Sequence, residues 1–383
     1  MPAIRPVSSG VSETVTARIP FVDLRAQYLA HRGEIDGAIQ SIIDQTAFIG
    51  GDAVRGFERA FGALIGGREC VGCGNGTDAI YVVLRMLGIG TGDEVVTTAV
   101  TWISTSETIT QAGAAPVFVD IDDYFCLDPS RLEAAITPRT RAIIPVHLYG
   151  HPAEMRPIME IAARHRLHVI EDCAQAHLAT DRGITVGTVG VAATFSFYPG
   201  KNLGAYGDAG AIVTGEADLA RRCRAYANHG ALVKHQHEME GINSRLDGLQ
   251  AAVLAAKLPH LAAWTGKRQA VARAYDELLA GIPGIRTPQV REGAAHVYHL
   301  YVIRAQRRDE LRAFLAERGI ETQIHYPTAL PFLPAYRRLG YEPGDLPRAY
   351  AVQSEILSLP MYAELPLDNV SEVARAIRDF YGC

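Results

Sequence analysis

The sequence predicts an α/β protein in which a large domain, built on a mostly parallel sheet flanked by helices, is followed by a smaller C-terminal α/β domain. Three observations point there. Short apolar runs alternate with helical stretches between residues 69 and 170, the pattern of strands joined by right-handed helical crossovers. The chain has 383 residues, more than one ordinary core accommodates. Its composition, 48% hydrophobic and 21% charged, is that of a chain able to bury a sizeable core.

Taken in order, residues 1–20 read as a flexible N-terminal tail. Apolar residues at three- and four-residue spacing predict helices over Leu24 to Ile43 and Val54 to Ile65. Strand and helix then alternate: Glu69–Val71 with Thr77–Leu87, Glu94–Thr98 with Ser104–Ala112, and Pro116–Asp120 with Ser130–Ile136. Arg141–Val146 with Glu154–His165 continues the series, which ends on the strand His168–Ile170. The glycine- and aromatic-rich stretch 186–214 holds strand-like runs at Ala192–Phe197 and Gly210–Val213 without a helix between them. A helical segment over Leu246–Leu261 is interrupted by Pro259, and the domain boundary falls near residue 258. The large domain thus spans 21–258. The small one, 259–383, reads as a strand at His299–Ile303, a helix at Arg308–Arg318, a Pro-rich loop from Pro327 to Pro347 and a final helix at Val370–Tyr381.

A net charge of -5 and a pI near 6.2 supply no basic field, which argues against nucleic acid or an anionic membrane as the main partner. The N-terminus lacks a signal-type apolar core and no run is long enough to span a bilayer, so the expected location is the cytoplasm. The six cysteines read as reduced thiols. Cys70 and Cys73 form a C-x-x-C without a second pair or nearby histidines at ligand spacing, so they read as small strand residues and no metal is expected.

Ligands of parallel sheets bind at the carboxyl ends of the strands, and four such places carry chemistry. After Val71, Gly72-Cys73-Gly74-Asn75-Gly76-Thr77 enters a helix, presenting free amides to a phosphate; a tight turn capped by Thr77 accounts for it equally. After Thr98 comes Trp102, able to stack on a flat ring or to serve as a packing residue. Asp172 follows Ile170-Glu171, either as a helix cap or as the partner that keeps a pyridine nitrogen protonated. Lys201 stands alone among apolar and glycine residues, from Phe195 to Gly210. It is either an exposed loop lysine or one whose burial is relieved by an imine to an aldehyde.

These residues, with Gly74-Asn75-Gly76-Thr77-Asp78-Ala79, Glu171 to His177, and Gly241-Ile242-Asn243-Ser244-Arg245-Leu246-Asp247 in the same order, resemble the DegT/DnrJ/EryC1/StrS sugar aminotransferases over nearly the whole chain. The resemblance implies a fold-type I enzyme using pyridoxal 5'-phosphate (PLP). Lys201 would carry the cofactor as a Schiff base and shuttle the proton, Asp172 would hold the pyridinium, Trp102 would stack on the ring, and Gln175 would approach the phenolic oxygen. Gly76, Thr77 and Ser196 would hold the phosphate, joined by Asn243 from a second subunit, which requires a homodimer. His229 lies on what resembles the substrate-facing loop, so the nearby His235-x-His237 pair is not read as a metal site; His325 and Tyr326 lie where the family's small domain approaches the sugar. The implied reaction moves an amino group from L-glutamate to a keto carbon, C-3 favoured by the loop around Lys201, of a dTDP-linked keto-deoxysugar. A C-4 or cyclitol aminotransferase, or a PLP-binding regulatory protein without enzyme activity, uses the same residues.

Overall fold

A computed structural model describes residues 18–383. Residues 1–17 of the expected tail lie outside the described residues. Residues 18–20 depart from that expectation: Ile19 is buried and bridges Ile320 in parallel, its N–H bonding the Gly319 carbonyl. Burying one isoleucine side chain in the core around Tyr275 and Leu311 is worth about 1.5–3 kcal/mol, enough to hold a short segment in place.

The large sheet has seven strands: β1 (Glu69–Cys73), β2 (Glu94–Thr98), β3 (Ala115–Val119), β4 (Thr140–Ile144), β5 (His168–Asp172), β6 (Ala192–Ser196) and β7 (Gly210–Thr214). Their spatial order is β1-β7-β6-β5-β4-β2-β3. Only β7 runs against its neighbours; the other pairings are parallel. Helices cover both faces, and strands such as β2 are buried along their whole length, which is why they read as continuous apolar runs and not as alternating ones. The antiparallel β7 explains the missing helix between the two strand-like runs of 186–214, because a strand that reverses direction needs no crossover.

The segment expected as one helix over 246–261 is a helix at Gly248–Lys257, a 3-10 turn at Leu258–His260 containing Pro259, and a further helix at Leu261–Leu279. That last helix escapes the sequence pattern because Arg268 occupies its buried stripe, between Trp264 and Val271. The helix Ala217–Ala227 was likewise not anticipated; arginines interleave its buried Leu219, Ala220 and Cys223.

Beyond the turn, Ile285–Arg286, Tyr301–Ala305 and Ile356–Leu359 form a three-stranded antiparallel sheet. Helices Leu261–Leu279, Arg308–Glu317 and Leu367–Tyr381 pack on it around Tyr275, Tyr301, Leu311, Leu357 and Ile377. This region is not wholly separate, since Ala294–Ala295 pairs with Thr180–Asp181, which follow β5 in the chain. No helix among the described residues is long and apolar enough to cross a membrane.

Candidate active site

The carboxyl ends of β1, β2, β5 and β6 converge on one edge of the sheet. After β1 the chain turns into the helix Gly76–Met86, whose cap is Asn75: its side chain accepts from the Asp78 amide at 2.8 Å. The turn is therefore capped by Asn75 and not by Thr77, whose hydroxyl lies 2.7 Å from that of Ser104 in the segment following Trp102. The amides of Gly76 and Thr77 open the helix and have no acceptor within it, so they present an anion-binding end. Two glycines permit the approach. A Cβ on Gly76 would lie 2.8 Å from the Ser196 Cβ, and one on Gly210 would lie 2.4 Å from the Asn75 carbonyl. Gly76, Thr77 and Ser196 thus come together in a cradle that a single added carbon would fill.

Asp172 ends β5 and is buried. Its carboxylate accepts from the Thr105 hydroxyl at 2.9 Å and the Ala174 amide at 3.1 Å. Burial raises its pKa, against those two bonds and the charge of Lys201. Lys201 follows β6 in a loop held by Lys201 N–H to the Tyr198 carbonyl (2.8 Å) and Ala205 N–H to the Phe197 carbonyl (2.8 Å). Its amine is lowered to about 8 by desolvation, with Asp172 acting in the opposite sense. The bland reading of Lys201 as an exposed loop lysine does not fit this setting.

Around this pair, Trp102 is 57% exposed, an open indole face 5.6 Å from the ring of Tyr326. Gln175 is oriented from both ends: its carbonyl accepts from the Tyr149 amide at 2.7 Å, and its amide donates to the Tyr326 hydroxyl at 3.0 Å. His325 bonds Ser358 through Nδ1 at 2.9 Å, and its backbone carbonyl accepts from the Tyr149 hydroxyl. Burial and the charge of Lys201 lower His325 to about 4, so the ring is neutral. His325 and Tyr326, which follow the helix Arg308–Glu317 in the chain, thus reach the same cleft as Gln175.

Two expected residues lie elsewhere within the chain. His229 and Asn243 belong to one loop system, joined by the His229 amide to the Ile242 carbonyl and by a bridge between Asn228 and Asn243. Ser244 anchors that loop to the turn after β1, accepting from the Gly74 amide at 3.0 Å and donating to Asp78 at 2.7 Å. Asn243 is left exposed. A groove of about 810 Å³ lined by Arg55, Arg59, Arg68, Arg224 and Arg245 adjoins the loop and includes none of the residues around Lys201. Cys70 and Cys73 are both buried in β1, three positions apart and so on opposite faces.

Supporting residues escaped the sequence reading. Lys257 is buried, donates to the Gly204 carbonyl at 2.5 Å, and sits 5.2 Å from the Tyr206 ring. It props the loop that carries Lys201, and its signal was a lone cation ending the apolar helix Gly248–Lys257. Glu171, in the motif but given no role, accepts from the amides of Gly187, Val189 and Gly190, each at 2.8 Å, and lies 3.1 Å from His147 Nε2. Because His147 Nδ1 accepts from the Ala153 amide, Nε2 carries the proton and donates. Burial pulls Glu171 upward, yet His147 and the amides together hold it below the ordinary carboxylate range.

A desolvated lysine beside a strand-end carboxylate, with an exposed indole and a helix N-terminus facing the same cleft, has the donor set that a pyridine aldehyde phosphate requires. That defines the class as a PLP enzyme of aminotransferase architecture. The chain belongs to the DegT/DnrJ/EryC1/StrS aminotransferase family, whose profile matches residues 30–378; it is a sugar aminotransferase, and PLP is its cofactor. It is 47% identical to a pleiotropic regulatory protein of Geobacillus stearothermophilus over 95% of this chain and 98% of that one. It is 46% identical to the dTDP-3-amino-3,4,6-trideoxy-alpha-D-glucose transaminase of Streptomyces venezuelae, over 96% and 98%. Its fold superposes on a crystal structure of S. venezuelae DesV in complex with a ketimine intermediate, with a TM-score of 0.94 and 46% identity over 96% of this chain and 99% of that one.

Proposed function

We propose that the protein transfers an amino group from L-glutamate to the C-3 keto carbon of a dTDP-linked keto-deoxysugar, in deoxyamino sugar biosynthesis. The observation that carries the chemistry is the convergence at one sheet edge of Lys201, lowered to about 8, and the buried Asp172, each within the field of the other's charge. The likeness to the dTDP-3-amino sugar transaminase supports the substrate and the carbon position.

When bound, PLP supplies an electron sink for the pair released at the amino-bearing carbon. Lys201 would hold the cofactor and, once freed, its amine would carry the proton at the substrate carbon. Asp172 would keep the ring nitrogen protonated, since an adjacent carboxylate favours the charged form. Trp102 would offer its indole face to the ring, Gln175 would serve the phenolic oxygen, and Gly76, Thr77 and Ser196 would bind the phosphate. The exposed Asn243 serves the phosphate site of a second protomer, so the working unit is a homodimer. The neutral His325, with Tyr326, contacts the sugar, and His229, on the loop that carries Asn243, does so from the second protomer. The domain division at residue 258 lets the small domain bring two of those three residues to the substrate.

The test is a product assay by NMR with L-glutamate and, side by side, dTDP-3-keto and dTDP-4-keto-6-deoxyhexoses. Amination of the 4-keto sugar alone would refute the carbon assignment. The 47% likeness to a pleiotropic regulatory protein favours a second reading, a PLP-binding regulator. Failure of L-glutamate to change the visible absorbance of the bound cofactor would favour that reading.

A further inference from the structure

Away from the cleft, His31, Glu34 and His260 gather their ligand atoms within 4.8 Å of one another. His31 is the residue before the helix Arg32–Gln45 and Glu34 lies in that helix's first turn, so the two share one face at an i, i+3 spacing. Paired carboxylate and imidazole ligands at this spacing build metal sites in helical proteins. His260 arrives from the 3-10 turn that contains Pro259. Its Nε2 is 2.8 Å from one Glu34 oxygen, while His31 Nδ1 is 3.7 Å from the other. The two imidazole rings lie 3.9 Å apart, each with a ring nitrogen turned to the same carboxylate, and imidazole nitrogen is the commonest protein ligand for transition metals.

The geometry points to a divalent transition-metal site, of zinc type, formed by His31 Nδ1, Glu34 and His260 Nε2 with water as a fourth ligand. Two imidazoles, one carboxylate and a water match the donor set and coordination number of zinc. With Zn–N bonds of about 2.0–2.1 Å the ring centroids spread to about 5 Å, a movement that the partly exposed side chains accommodate by rotating. The other close cluster, His147, Glu171 and Cys173, offers no comparable site, because His147 Nδ1 and both Glu171 oxygens already accept from backbone amides. A bound ion would pin the N-terminal helices to the start of the helix Leu261–Leu279, whose Trp264 ring lies 6.0 Å from Lys257 Nζ.

The PLP-loaded protein, stripped of metal with a chelator, is dialysed against zinc chloride and then against buffer, and retained zinc is measured by elemental analysis. One zinc per chain is expected in the parent. His260→Ala and Glu34→Gln fall to background, and His235→Ala/His237→Ala, which removes an exposed histidine pair elsewhere, keeps its zinc. All variants carry the same cofactor, so zinc held by PLP cancels from the comparison, and retained visible absorbance and circular dichroism certify their folding. Should His260→Ala fail to fold, Glu34→Gln and His31→Ala give the same readout. Zinc absent from the parent, equally retained by both ligand variants, or lost only from the His235/His237 variant overturns the assignment.

Discussion

Lys201 is lowered to about 8 from an ordinary 10.5, chiefly by desolvation. At pH 7 about 9% of such amines are neutral, against about 0.03% of ordinary lysines, an advantage of about 300-fold in the nucleophilic form. The consequence is measurable on cofactor-free protein with a small aromatic aldehyde. Cyanoborohydride traps the imine, and mass spectrometry of the peptide containing Lys201 counts it. Dividing by the rate for Nα-acetyl-lysine at each pH removes the reagents' own pH dependence. Below pH 8 the ratio is flat, because both amines lose their neutral form in parallel. Between pH 8 and 10.5 it falls, because only the reference amine is still gaining. Steric access scales the ratio without moving this window. Asp172 acts to raise the Lys201 pKa, so Asp172→Asn shifts the window downward and speeds trapping at pH 7 by at most about 11-fold, the limit set by 9% becoming fully neutral. A ratio unchanged from pH 8 to 10.5, or an upward shift in Asp172→Asn, would refute the reasoning.

Other outcomes follow from the same geometry. Gly76→Ala forces a carbon to 2.8 Å from Ser196, which costs about 1–3 kcal/mol at the phosphate cradle; PLP affinity measured by equilibrium dialysis falls by about 5- to 150-fold. Lys257 is lowered to about 8 by burial, so between pH 8 and 10.5 the unfolded chain holds more protons than the folded one and stability gains from this group as pH rises. Urea melts at pH 7.5 and 9.5 therefore show a stability difference between the parent and Lys257→Met that moves in favour of the parent by about 1–2 kcal/mol at the higher pH; no movement contradicts burial of the charge. Glu171→Gln leaves three amides and His147 facing a neutral acceptor. It lowers unfolding free energy by about 3 kcal/mol in the same assay, and an unchanged midpoint would show that the charge is not needed there.

The legible parts of the site are those where chemistry follows a strand end. Lys201, Asp172, Trp102 and the turn at Gly76 could be placed because the alternation fixes where each strand stops. The sequence offers Thr77 as the cap where the structure has Asn75, since both residue types cap helices and only the structure shows which side chain reaches the Asp78 amide. Lys257 and His147 stayed unread for a different reason: their partners are a carbonyl 53 residues away and a carboxylate 24 residues away, and no local pattern announces a long-range contact. The helix Leu261–Leu279 was hidden by Arg268, whose guanidinium is buried against the carbonyls of Tyr298 and Met361 and so breaks an apolar stripe without leaving the core. Asn243 is exposed within one chain, and its proposed role depends on a surface that a single chain does not contain.

Glu171 and Asp172 are consecutive acids on β5, and their fates differ because side chains alternate across a strand. A slip of β5 by one residue against β4 and β6 would preserve composition, charge and most apolar burial. It would also exchange the two carboxylates, turning the longer one toward the lysine and the shorter one toward the amides of Gly187 to Gly190. The pairing of Asp172 with Thr194 across β5 and β6 therefore decides which acid is mortar and which is reagent, and an error in strand register would be an error in chemistry before it was an error in stability.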